Sequence, residues 1–99
     1  MVKHIVMWKI KDNHNGLNKE EICIKIKNEL EALKAIIADI LKIEVGVNIL
    51  ESPAAYDLVL YSEFTSQEAL TAYQNHEAHR NVASYIGQVS EARIVVDYK

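Results

Sequence analysis

Lys42-Ile43-Glu44-Val45-Gly46-Val47-Asn48 and Tyr56-Asp57-Leu58-Val59-Leu60-Tyr61-Ser62-Glu63-Phe64 stand on either side of a turn, Glu51-Ser52-Pro53-Ala54. Both runs alternate with period two, the mark of a strand with unlike faces. In the first, Ile43, Val45, Val47 and Ile49 share a face opposite Lys42, Glu44, Gly46 and Asn48. In the second, Leu58, Leu60, Ser62 and Phe64 point one way, while Val59 and Tyr61 face away between Asp57 and Glu63. The turn holds Pro53, the single proline of the chain. Two strands in direct succession, with no helix between them, set the topology.

Helical periodicity flanks this pair on both sides. Upstream, Asn18 is a natural N-cap, Glu21 completes a capping box three residues on, and Leu17 can staple against Ile22. Ile22, Ile26, Leu30, Leu33 and Ile37 then form one apolar stripe. No glycine or proline interrupts Ala35 to Leu41, so local chemistry does not define where this helix stops. Before it lie a turn cluster, Asp12-Asn13-His14-Asn15-Gly16, and an alternating strand from Val2 to Ile10. Downstream, Ser66 or Thr65 opens a second helical region reaching to about residue 88, and Ala92 to Tyr98 reads as the last strand. The order βαββαβ predicts one domain over residues 1–99, a ferredoxin-like α+β sandwich. Its sheet is four-stranded and antiparallel, with both helical regions on one face.

Such a sheet has a second face. By the alternation it carries Ile5, Met7, Val59, Tyr61 and Val95, ringed by Lys3, Lys9, Asp57, Glu63, Arg93 and Asp97. An apolar centre within a charged rim is the anatomy of a protein interface, and it predicts a homodimer joined sheet to sheet.

Composition narrows the remaining classes. The chain has 99 residues, 49% hydrophobic and 25% charged, as globular domains do. A net charge of −3 with a pI near 5.8 supplies no basic field for nucleic acid. The opening Val2 to Lys9 is too short and too charged for a signal peptide or membrane span, so a cytoplasmic protein with no membrane partner is expected. The lone Cys23 forms no internal disulfide and reads as a small core residue.

Chemistry centres on Tyr73-Gln74-Asn75-His76-Glu77-Ala78-His79. Ala69, Leu70 and Tyr73 form one inward stripe, and His79, Val82, Ala83 and Ile86 another. On a straight helix the two would lie roughly 120° apart, so a break near Asn75-His76 is predicted. With that break Tyr73 and His79 face one interior space, together with His4 from the first strand. A buried imidazole can remove a proton near neutral pH, and a phenol can donate to a carbonyl oxygen gaining charge. A packing or capping role competes with this reading. A metal site on His4, His76 and His79 is weaker, for want of a well-placed carboxylate, and no metal is expected.

The stretches Val2–Lys9, Tyr56–Phe64, Ala72–His79 and Ile94–Tyr98 together resemble the stress-responsive A/B barrel domain (Dabb) family. The resemblance runs nearly end to end. It implies ferredoxin-like subunits paired as a dimeric α+β barrel, most members being small proteins without an assigned reaction. One plant branch acts as a cofactor-free polyketide cyclase that closes a ring by aldol-type condensation. Its catalytic Tyr and His fall on Tyr73 and His79, and its pocket His on His4. The cyclase's aromatic first-helix positions are Ile22, Cys23 and Ile26 here, so its substrate does not transfer. The family's Pro after the first His of its His-Pro-x-His stretch is Glu77, and its Pro-Gly after the first helix is Ala38-Asp39. The resemblance and the residues together predict a homodimer with a small apolar ligand pocket and no cofactor. The lining set is His4, Val6, Trp8, Ile22, Cys23, Ile26, His76 and Val82. The alternative is a cofactor-free enzyme, an aldol cyclase or a small monooxygenase, using Tyr73 and His79.

Overall fold

Burial along the first strand alternates as the sequence does: Val2, His4, Val6, Trp8 and Ile10 are buried, and the residues between them are not. The computed structural model describes residues 1–99. Its elements are β1 (Val2–Ile10), β2 (Asn13–His14), β3 (Leu17–Asn18), α1 (Lys19–Ala32), β4 (Lys42–Val47), β5 (Leu58–Phe64), α2 (Gln67–Asn75), α3 (Glu77–Val89) and β6 (Ser90–Tyr98). The main sheet runs β4-β5-β1-β6 with every neighbour antiparallel, which is the ferredoxin-like order. The turn cluster proves to be a small hairpin of β2 and β3, closed by Asn15 and Gly16 at φ 48° and 86°. Two consecutive positive φ values are what a tight hairpin turn needs, and Asn-Gly supplies them at little steric cost.

The cap of α1 is as predicted. Asn18 Oδ1 accepts from the Glu21 backbone N–H at 2.9 Å, and Glu21 Oε1 accepts from the Asn18 N–H at 3.0 Å. The apolar stripe outlasts the helix. A short 3₁₀ turn, Leu33–Ala35, follows, and Leu33, Ile37 and Ile40 stay buried while the chain bends toward β4. Tertiary burial, rather than a local stop signal, ends this helix.

The second helical region is broken where the phase resets. His76 is extended (φ −64°, ψ 137°), closing α2 and capping α3, with its Nδ1 accepting from the Ala78 N–H at 3.0 Å. An imidazole cap thus terminates one helix and starts the next, with no proline needed.

One strand departs from expectation. Cross-strand partners share a face, and β6 pairs Val95 with Val6, Ile94 with Met7 and Val96 with Ile5. Val95 therefore lies on the helix side, not on the outer face with Ile5, Met7, Val59 and Tyr61. Arg93, opposite Trp8, and Asp97, opposite His4, turn inward with it. Ile94 and Val96 take the outer positions. Asp57 also leaves the rim: its Oδ2 accepts from the Ile10 N–H at 2.7 Å and lies 3.4 Å from Lys19 Nζ.

Candidate functional site

Between the helical layer and the β6 side of the sheet lies a half-open cavity of about 130 Å³. Val6, Trp8, Leu30, Leu60 and Ile86 give it an apolar floor and wall. Ala83 and Gly87, one turn apart on the exposed side of α3, are too small to close it. Its polar groups are His4, His79, Ser90 and Arg93.

His4 is buried on β1, and its Nδ1 meets Asp97 Oδ1 at 2.5 Å across the strand pair. The carboxylate can only accept, so Nδ1 carries the proton and Nε2 is left without a protein partner. The arrangement fixes the orientation and tautomer of the ring.

His79 sits in the first turns of α3, directed inward because His76 resets the helix phase. Its Nδ1 lies 3.1 Å from the Gln74 carbonyl, which again assigns the proton to Nδ1 and frees Nε2. Burial holds its pKa below the ordinary value, against the raising effect of the Gln74 bond, and the charges of His4 and Arg93 push the same way as burial. Neutral imidazole is the form a general base requires.

Tyr73 is placed differently from expectation. It is fully buried and wedged between Phe64 and His79, with ring centroids 5.0 Å and 4.4 Å away, and it does not line the cavity. Its hydroxyl has no hydrogen-bond partner, and burial raises its pKa far above the usual phenol value. It packs against His79 with the two rings tilted by 54°, behind the imidazole and outside the cavity lining.

Of the expected lining set, His4, Val6 and Trp8 come together with His79. Ile22, Ile26 and Val82 are core residues that do not reach the cavity. Cys23 borders a separate opening beside Lys19 and Asp57, and burial, with the Asp57 charge, pushes its thiol up to about 11. His76 is spent on capping. No cluster of three or more metal-ligating side chains forms among the histidines and acids. Arg93, Asp97 and the Ala83/Gly87 mouth were not foreseen. Two small residues at i and i+4 on an otherwise amphipathic helix were the available signal for the mouth. Arg93 and Asp97 needed the β6 register.

Fold and cavity together define a ferredoxin-like α+β domain with an opening between helices and sheet. The chain belongs to the stress responsive A/B barrel domain family, whose model matches residues 2–99. An uncharacterised protein of Streptomyces coelicolor is 31% identical over 83 residues, covering 81% of this chain and 80% of that one. A dimeric ferredoxin-like protein of unknown function from Bacteroides fragilis superposes with a TM-score of 0.83 at 34% identity, covering 99% of this chain and 94% of that one. A hydroxynitrile lyase from Passiflora edulis reaches a TM-score of 0.81 at 17% identity, covering 98% and 90%, a likeness of fold alone. No helix is long and apolar enough to cross a membrane.

Proposed function

We propose that this protein is a homodimer in which each subunit's cavity binds a small carbonyl compound and moves a proton on it without a cofactor. The observation that carries this reading is the pair of imidazoles, His4 and His79, each tied at Nδ1 and each free at Nε2, lining one cavity. His79, kept neutral by burial, takes the proton from the carbon beside the carbonyl. The electron pair of that C–H bond becomes the enolate, and the His79 imidazolium returns a proton to the same carbon, while His4, held in place by Asp97, lines the cavity beside it. At about 130 Å³ the cavity is small beside the ~300–1,000 Å³ of drug-sized sites, which favours a compact guest.

Dimerisation is supported by the outer face, where Met7, Val59 and Ile94 border a groove of about 450 Å³ continuous with Val47, Leu50 and Tyr56. The Bacteroides fragilis neighbour is described as dimeric. A lyase on this scaffold supports catalysis as a use of the fold.

The test is deuterium uptake at the benzylic carbon of phenylacetone in D₂O, followed by proton NMR. Wild type accelerates exchange over buffer, and His79→Gln lowers the enzymatic rate by about 10²–10⁴-fold, the usual worth of a general base. Equal exchange with wild type, His79→Gln and buffer refutes the proposal.

A further inference from the structure

Arg93 brings a fixed positive charge into a cavity that otherwise offers apolar carbon, a serine and two imidazoles. It makes no ion pair: every ion pair in the structure involves other residues. Asp97, the acid that shares its strand face, is engaged by His4. The guanidinium therefore stands at the cavity lip with its donors uncommitted. Its pairing with Trp8 across the strands places it over the apolar floor rather than among other surface charges.

From this we infer that the small carbonyl guest also carries a carboxylate, on an apolar body. A guanidinium presents a planar fork that matches the two oxygens of a carboxylate. The body of the guest would lie on Val6, Trp8, Leu60 and Ile86. One guanidinium matches one negative charge. A phosphate dianion would find no second Lys or Arg among the residues that line the cavity, and a polyanion meets a chain of net charge −3. The inference rests on the cavity being the ligand site, and adds the class of ligand it takes.

Benzoate and benzamide have nearly the same shape and differ in charge, so calorimetric titration with each isolates the anion preference. At pH 7.5 wild type binds benzoate about tenfold more tightly than benzamide, a modest margin because Arg93 is solvent-exposed. Arg93→Leu binds both equally, Arg93→Lys retains part of the preference, and inorganic phosphate fails to displace benzoate. Equal binding of the two probes by wild type overturns the carboxylate inference and leaves the cavity reading standing. Binding of neither overturns both. A preference that survives in Arg93→Leu, or displacement by phosphate, also overturns the assignment.

Discussion

Replacing Tyr73 with phenylalanine stabilises this protein. Tyr73 is fully buried, and its hydroxyl is orphaned. Burying an unpaired hydroxyl costs about 1–3 kcal/mol, which Tyr73→Phe recovers. Against this stands the loss of a few oxygen contacts worth about 0.1–0.2 kcal/mol each. The ring packing on Phe64 and His79 is kept, since those contacts are made by the aromatic ring itself. The net expectation is a gain near 1 kcal/mol, or ~4–8 °C in Tm for a domain of this size. Urea unfolding at a fixed protein concentration reads it as a higher midpoint with unchanged slope, the fixed concentration being needed for the proposed dimer. The phenylacetone exchange rate should stay within about threefold of wild type, because a side chain that only packs behind the base makes no bond that strengthens in the transition state. A loss of about 1 kcal/mol or more would mean the hydroxyl has a partner. A large fall in exchange rate would return Tyr73 to the reaction and refute the assignment of roles made from the structure.

Two further outcomes follow from the register and from the buried imidazole. Ile94→Lys should shift the proposed dimer toward monomer by sedimentation velocity, while Val95→Lys should not, because Ile94 and not Val95 shares the outer face with Met7; the reverse result would refute the pairing of β6. His79 binds its proton less readily folded than unfolded, so its contribution to stability is lost as pH falls below the ordinary imidazole range. Urea midpoints between pH 8 and 5 should therefore drop more steeply for wild type than for His79→Gln, and equal slopes would contradict a buried neutral imidazole.

The fold was legible because its signals were local and redundant. Alternation in Val2–Ile10 and Leu58–Phe64, the Asn18/Glu21 box and the stripe from Ile22 to Ile37 each named an element independently of the others. The break at His76 was legible from phase alone, since two inward stripes on one helix cannot both be buried. The end of α1 was not, because packing of Leu33, Ile37 and Ile40 bends the chain where no residue type demands it. Tyr73 and His79 were rightly seen as neighbours. Which of them touches the cavity depends on a difference of depth that spacing does not encode.

The decisive illegible feature was one residue of register. Ile94-Val95-Val96 is apolar throughout, so β6 has no alternation at its centre with which to declare a face. On an edge strand with both faces largely open, burial does not correct the ambiguity either. What sets the register is pairing with β1, including the shift between Lys9 and Ile10 that leaves Glu91 without a partner. A slip of one residue exchanges every side chain between faces. In the observed register the exchange carries Arg93 off the presumed interface rim and to the cavity lip, brings Asp97 to His4, and sends Ile94 and Val96 to the outer face in place of Val95. One pairing choice thus removes two charges from the surface where the proposed dimer needs apolar contact. It adds the same two residues where His4 needs an acceptor and a guest needs a cation. The interface and the site are coupled outcomes of how β6 is laid against β1, and a substitution that moved that register would damage both at once.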